Sequence, residues 1–184
     1  MGKLWQKQTT TSLNTFVETF ETKDDILLDQ KLLIYDVLGS LAHARMLQKQ
    51  KLLSSEELQQ LQKGLHDIVR FAEKNQFQLI AGDEDIHTKI ENHLTEHFGE
   101  TGKKIHTGRS RNEQVLTALR LFTKDSLLNI WEETIHLAEQ FLLFAKKYES
   151  VPFPGYTHMQ KAMPYSVGAW TLSFVYGLLD NLQL

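Results

Sequence analysis

The 184-residue chain has 20 Lys and Arg against 23 Asp and Glu, and this net charge of −3 excludes a general electrostatic affinity for nucleic acid or anionic membranes. It contains no cysteine, which excludes disulfides and thiol chemistry, and 41% of its residues are apolar, enough for a packed core. Only three prolines interrupt the long Leu-rich runs, so the sequence predicts an almost entirely helical chain.

The chain start lacks the apolar core of a secretion signal, and no stretch predicts a membrane span, so a cytoplasmic protein is expected. Residues 1–22 are polar and Thr-rich, without a clear period, and are expected to form a loop or arm. A helix is predicted from Asp24 or Asp25 to about Gln50. Its expected buried stripe consists of Leu28, Leu32, Tyr35, Leu38, Ala42 and Met46.

The second predicted helix has a strong start signal. Ser54 and Glu57 have the spacing of a capping box, and Leu53 with Leu58 fits the hydrophobic staple that often accompanies it. Apolar residues then recur at alternating spacings of three and four until about Asn75. An amphipathic helix is therefore expected here, with no chemistry of its own.

A third helix is predicted to open at 83–85, with an acidic first turn, and to end at Gly99. Within it, His93, Glu96 and His97 match the H-x-x-E-H pattern of one class of zinc peptidase. Two histidines four residues apart share a helix face, as a metal requires, but no third ligand stands out nearby. Two surface histidines on one polar face are the simpler interpretation.

The stretch 106–114, HTGRSRNEQ, is the best candidate for a functional site. Ser110 and Glu113 again have capping-box spacing, which predicts a helix start with outward N–H groups and a positive dipole end. Arg109 and Arg111 add planar guanidinium forks suited to carboxylates, and Asn112 adds an amide. The pattern indicates a carboxylate site; the alternative is a capped helix with two solvated arginines.

A long helix is predicted from Ser110 to about Tyr148, a rod of roughly 55 Å that needs partner helices along its length. Prolines and a glycine at 151–155 break it, so a tight segment should present the Thr157 hydroxyl and the His158 imidazole. An ordinary interhelical loop is the alternative. Pro164 is the predicted first residue of a last helix, apolar nearly all round and therefore expected to be buried in a bundle.

HTGRSRNEQ at 106–114 and PGYTHMQ at 154–160 together resemble the argininosuccinate lyase branch of the aspartase/fumarase superfamily. The stretches YDVLGSLAHA at 35–44 and DIH at 85–87 are also similar to that family, and the resemblance covers nearly the whole chain. Three features depart from the family pattern. Glu113 replaces an Asp, residues 5–9 read WQKQT where the family has WGGRF, and Asp25 replaces a serine.

The resemblance implies an all-α fold. A helical N-terminal lyase domain would span residues 1–105, and the start of the central helical bundle would span 106–184 and stop inside a helix. It also implies an enzyme of arginine biosynthesis, a carbon–nitrogen lyase that splits argininosuccinate into fumarate and arginine by anti elimination. The family's signature loop, whose serine is taken as the base, is absent from these 184 residues, so the chain is expected to be an N-terminal fragment, inactive alone and prone to self-associate.

The resemblance further implies roles for single residues. His158 and Thr157 would be catalytic. The substrate-binding residues would be Ser110, Arg111, Asn112, His87, Thr157 and Gln160. No cofactor or metal is expected, and the partners would be argininosuccinate and, in the full-length enzyme, three further copies in a homotetramer. The alternatives are a non-catalytic structural protein of the same fold and, less favoured, the zinc peptidase.

Overall fold

The computed structural model describes Phe20 and residues 25–80 and 83–183. The predicted arm, apart from Phe20, and the departure at 5–9 lie outside the described residues. The chain divides into two compact units, one up to Thr123 and one from Lys124 onward. The predicted domain boundary at residue 105 falls within the first unit and stays a prediction.

All regular secondary structure among the described residues of the first unit is helical. Its elements are α1 (Asp25–Asp29), a 3₁₀ turn (Gln30–Leu32), α2 (Leu33–Lys49), α3 (Ser55–Glu73), α4 (Ile86–Phe98), α5 (Glu100–Lys103), a second 3₁₀ turn (Lys104–His106) and the beginning of α6 (Arg111–Lys147). In the second unit, α6 is followed by β1 (Pro152–Thr157), β2 (Gln160–Ser166) and α7 (Val167–Asn181). The predicted all-α class is confirmed, with one hairpin as an addition.

Local capping fixes where α3 and α4 begin. Ser54 Oγ accepts from the backbone N–H of Glu57 at 3.1 Å, and the Glu57 carboxylate accepts from the Ser54 N–H at 2.8 Å. This is the predicted capping box, and it satisfies two N–H groups that the first turn leaves unpaired. At α4, Asp85 caps the helix through Thr88 N–H, and Gly99 ends it with a φ of 57°. The predicted end at Gly99 is thus confirmed, whereas the helix begins at Ile86, so that Asp83 and Glu84 precede it and its first turn carries no acidic residue.

The core of the first unit lies between α2, α3 and α4. Its buried apolar residues include Leu33, Val37, Ala44, Leu47, Leu61, Leu65, Ile68, Ile86, Ile90 and Leu94. The predicted buried stripe of α2 was wrong, because Leu28, Leu38 and Met46 are exposed. The buried face is the neighbouring one, where Asp36 and Ser40 join the apolar side chains.

A β-hairpin replaces the start of the predicted last helix. Pro164 pairs with Pro154 across the two antiparallel strands, and α7 begins three residues later, capped by Ser166. The prediction that Pro164 starts a helix was therefore wrong. A proline removes a backbone donor and pushes the preceding residue toward extended conformations, which suits a two-stranded sheet as well as a helix start.

The second unit holds an aromatic cluster beneath the hairpin. Phe153 stacks on Trp170 with ring centroids 5.5 Å apart, and Trp170 meets Phe174 edge-on at 5.2 Å. Phe174 also contacts Phe141 of α6 at 6.2 Å. Even so, Trp170, Phe174, Tyr176 and Leu179 keep substantial exposed area. Helix α7 is thus only partly covered within this chain, and its expected burial in a helical bundle stays a prediction.

Candidate active site

The start of α6 is shaped by its own side chains. Gly108 has a φ of 63°, and the chain then enters the helix at Arg111. The Glu113 carboxylate accepts from the Ser110 N–H at 2.7 Å, as the predicted capping box requires. The Ser110 hydroxyl accepts from Asn112 N–H at 3.2 Å rather than from Glu113 N–H. Ser110 and Asn112 are exposed, so their polar groups lie at the surface of this helix start.

The Arg111 guanidinium lies near the protein surface, with 29% of its side chain exposed. Its Nη1 donates to Gln114 Oε1 at 3.0 Å and to Glu91 Oε1 at 3.3 Å, and its Nη2 donates to Thr88 Oγ1 at 3.3 Å. Asp85 Oδ2 lies 3.9 Å from Nε. Arg111 is therefore held by α4 and by its own helix, and it is not a freely solvated arginine.

The second arginine of the motif has a different environment. The Arg109 side chain is only 7% exposed, its Nη1 donates to Ser40 Oγ at 2.9 Å, and its Nη2 lies 3.6 Å from Asp36 Oδ1. Burial lowers the pKa of the Arg109 guanidinium, and the Asp36 carboxylate opposes that shift. Arg109 therefore ties the motif to α2 from inside the protein.

A buried carboxylate lies below the two arginines. Asp36 is fully buried, and both of its oxygens accept from Gln114 Nε2 at 3.0 Å. Its Oδ2 also lies 3.2 Å from Nδ1 of His87, which is itself buried. That contact has the distance of an ion pair without hydrogen-bond geometry. The predicted substrate residue His87 is thus buried beside Asp36, and its substrate role stays a prediction.

An open cavity of about 430 Å³ adjoins the motif in the first unit. Its lining includes Gly39, His43, Met46, Arg109, Glu113 and Thr117. His43 Nε2 lies 3.0 Å from the Thr107 carbonyl oxygen, and burial lowers the pKa of His43. The volume is in the range of small-molecule sites, and its polar groups converge from α2 and α6.

The other predicted site residues lie on the hairpin of the second unit. Thr157 pairs with Gln160, and His158 with Met159 forms the two-residue turn between them. Both turn residues have positive φ, 52° and 62°, the signature of a type I′ turn. Thr157, His158 and Gln160 are exposed, so the turn presents the imidazole at the protein surface.

Ser110, Arg111 and Asn112 share one helix start, as the sequence predicts, and their substrate contacts stay a prediction. The partners that hold this start, which are Asp36, Gln114 and Glu91, were not predicted. One signal was present, because Asp36 is a carboxylate within a helix between apolar neighbours. A charge on a buried helix face requires a partner, so that position marks a polar contact across the core.

The zinc alternative finds no support at His93 and His97. Their rings lie 4.2 Å apart, but His97 Nδ1 is engaged with the His93 carbonyl oxygen at 2.8 Å. Within residues 25–80 and 83–183, no group of three or more His, Asp or Glu side chains is arranged to hold a metal ion. His93 instead packs against the ring of Phe77 at 5.5 Å.

A protein-family model described as lyase matches residues 2–183. The chain belongs to this lyase family. Curated relatives named argininosuccinate lyase confirm the resemblance seen in the motifs. The protein from Thermotoga neapolitana is 41% identical over 182 residues, and the one from Bacteroides thetaiotaomicron is 42% identical over 181 residues. These alignments cover 99% and 98% of this lyase chain but 45% and 40% of the relatives, so the chain spans less than half of their length.

Solved structures agree on the fold of this lyase chain. An EDDS lyase variant with bound fumarate matches with a TM-score of 0.74 and 26% identity, over 95% of this chain and 34% of that one. A fumarate lyase:delta crystallin from Brucella melitensis matches with a TM-score of 0.72 and 18% identity, over 94% and 45%. The second match shows the fold alone. No helix in the described part of the chain has the length and apolar character to cross a membrane.

Proposed function

We propose that this chain is the N-terminal part of an argininosuccinate lyase, which splits argininosuccinate into fumarate and arginine. The observation that carries the proposal is the start of α6, where Glu91 and Thr88 of α4 anchor the Arg111 guanidinium. Ser110 and Asn112 flank it with exposed polar groups. Relatives of that name, 41% and 42% identical across nearly all of this chain, support it.

The chemistry explains why such a helix start is useful. A base removes a proton from the carbon beside a carboxylate, the carbon–nitrogen bond breaks, and the leaving guanidino nitrogen receives a proton. Negative charge builds on that carboxylate before the bond breaks, and preplaced donors stabilise it. Arg111, Asn112 and Ser110 are such donors, and we assign them, together with His87, to substrate binding.

We assign the hairpin turn to the proton transfers and to further substrate contacts. The Thr157 hydroxyl can donate to a carboxylate, and the His158 imidazole can accept or relay a proton. Gln160, across the strand pair from Thr157, would add an amide contact. By resemblance, motifs from different subunits form each site, so Arg111 and His158 of one chain need not serve the same substrate molecule.

We propose a homotetramer in the cytoplasm as the complete enzyme. The second unit supports self-assembly, because many large apolar side chains of α6 are exposed there: Leu127, Leu128, Ile130, Trp131, Leu142 and Leu143. Exposed apolar area of this extent favours association. Sedimentation velocity of the 184-residue chain tests this proposal, with dimers or larger assemblies expected and a stable monomer arguing against it.

A chimaera tests the activity. This chain would replace the matching N-terminal part of the Thermotoga neapolitana relative, and fumarate release would be followed by its ultraviolet absorbance. We expect turnover of argininosuccinate by the chimaera and none by the 184-residue chain alone, which lacks the signature loop. Turnover of adenylosuccinate with none of argininosuccinate would refute the assignment.

The parent enzyme is the control for the assay, and circular dichroism is the control for folding of the chimaera. A second chimaera that exchanges only residues 106–184 separates the two candidate motifs from the remaining surface. If both chimaeras fold and neither releases fumarate, the helix start and the hairpin do not support this reaction.

A further inference from the structure

Asp36 is a fully buried carboxylate at the meeting point of three segments of the first unit. It lies on α2, it accepts from Gln114 of α6, and it faces His87 of α4 at 3.2 Å. A buried charge is costly unless it is paired and hydrogen-bonded. The side-chain orientations of its partners are therefore restricted, and so are those of the groups that the partners contact.

The contact with Gln114 determines which way that amide faces. A carboxylate can only accept hydrogen bonds, so the Gln114 amide must turn its NH₂ group toward Asp36. Nε2 lies 3.0 Å from each Asp36 oxygen. The opposite end of the amide, Oε1, then faces Arg111 and accepts from Nη1 at 3.0 Å. With the amide reversed, its oxygen would meet the carboxylate and its NH₂ group would meet the guanidinium.

This amide gives Arg111 its shortest side-chain hydrogen bond. The bonds from Arg111 to Glu91 and Thr88 are both 3.3 Å. Gln114 is almost completely buried, so water competes less at this hydrogen bond than at the exposed part of the Arg111 side chain. The orientation of the guanidinium therefore depends on a donor–acceptor order that begins at Asp36.

We propose that Asp36 is a positioning residue that aims the Arg111 guanidinium through the Gln114 amide. The inference rests on the proposed function in so far as Arg111 binds a substrate carboxylate. Asp36 itself is enclosed by the protein and does not touch substrate. Its contribution is to fix the donor pattern of the neighbouring helix start before a ligand arrives.

A polarity swap tests this order in the 184-residue chain. Asp36→Asn frees the Gln114 amide to rotate. The double variant, Asp36→Asn with Gln114→Glu, restores the donor–acceptor order, because the amide at position 36 donates to the carboxylate at position 114, which still accepts from Arg111. The net charge of the double variant equals that of the native chain. The readout is the NMR signal of Arg111 Nε–H, assigned by its loss in Arg111→Lys.

We expect the Arg111 signal to shift in Asp36→Asn and to return to its native position in the double variant. An unshifted signal in folded Asp36→Asn overturns the proposal, and so does a double variant whose signal stays displaced. If Asp36→Asn does not fold, the double variant decides. It must fold and show the native Arg111 signal, and its failure to do either contradicts the proposal.

The KM of the chimaera gives a second readout, which a merely structural role of Asp36 would not change. Asp36→Asn should lower kcat/KM about tenfold or more, through a raised KM in a chimaera still folded at the assay temperature, and the double variant should restore it. If the chimaera is inactive while the NMR pattern holds, the proposed function fails and the positioning role stands. Full activity in Asp36→Asn removes the positioning role and leaves the proposed function intact.

Discussion

Glu91 accepts from Arg111: the distance from Arg111 Nη1 to Glu91 Oε1 is 3.3 Å, and the same oxygen lies 2.9 Å from His106 Nδ1. The two basic side chains come from opposite ends of the HTGRSR segment and meet on one acid of α4. Glu91 is largely buried, so this arrangement clamps the segment on the helix. The segment therefore reaches α6 in a defined conformation.

Replacing Arg111 by Lys in the active chimaera should lower kcat/KM at least about tenfold. Lysine offers a point charge in place of the planar fork that reaches Glu91, Gln114 and Thr88, so the donor geometry is lost although the charge remains. Fumarate release over a range of substrate concentrations measures the change. Arg120→Lys, at an exposed position on the same helix, is the matched control. Equal efficiency in both variants would contradict a substrate-binding role for Arg111.

Gly102→Ala should destabilise the chain by about 1–3 kcal/mol or prevent folding. Gly102 is buried on α5, and an added Cβ would overlap the backbone of Leu94 and Thr95, which cannot rotate away as a side chain can. Urea denaturation followed by circular dichroism measures the loss. Gly177→Ala on α7 is the control, because its Cβ would meet open space and it should gain roughly 0.5–1 kcal/mol. Similar midpoints for the two variants would be incompatible with this packing.

His43 should make the chain less stable in mild acid. Burial lowers the His43 pKa from 6.5, its contact with the Thr107 carbonyl raises it, and nearby Arg109 and His106 lower it further. The folded chain therefore binds fewer protons than the unfolded chain as pH falls through the range just below 6.5, and stability falls with it. Above that range His43 is neutral in both states and adds no pH dependence.

The test compares urea midpoints at pH 7 and pH 5 for the native chain and for His43→Gln. Glutamine can still donate to Thr107 but carries no titratable group. The variant should lose less stability between the two pH values than the native chain does. An equal loss in both proteins would show that other groups, such as His93, whose pKa is also lowered by burial, account for the acid sensitivity.

Met159→Gly should stabilise the second unit by about 0.5–1 kcal/mol. Met159 is 98% exposed with a φ of 62°, so it has little packing to lose and a left-handed conformation to relieve. Glycine adopts that conformation without strain and offsets part of the gain through its larger unfolded-state entropy. Met163→Gly in β2, also exposed but not at positive φ, is the control and should be destabilising. Thermal unfolding measures both, and a loss of stability in Met159→Gly would contradict the strained turn.

The features that could be predicted from sequence are those formed by neighbours in the chain. The Ser54–Glu57 capping box and the Gly99 stop depend on hydrogen bonds and φ angles within one turn, and both were found where expected. The buried face of α2 could not be chosen in this way. Two stripes one residue apart were available, and the packing of α3 and α4 favoured the one that contains Asp36.

The same contrast between local and long-range contacts applies to the candidate site. Ser110, Arg111 and Asn112 are adjacent in sequence, so their shared position at a helix start was evident. The contacts of Arg111 with Thr88 and Glu91 join positions 23 and 20 residues apart, and no local pattern encodes them. At the hairpin, Pro164 fitted a helix start as well as a strand, and its pairing with Pro154 decided the outcome.

The hydrogen bonds between Asp36 and Gln114 also affect how the first unit assembles. They close a separation of 78 residues, so neither group finds the other until the intervening helices are in place. A partly assembled unit that excludes water around Asp36 before α6 arrives would enclose a carboxylate without its hydrogen bonds from Gln114, which is energetically unfavourable. Half-formed intermediates are thereby disfavoured, and the apolar core and the helix start are expected to form and melt in a single cooperative transition.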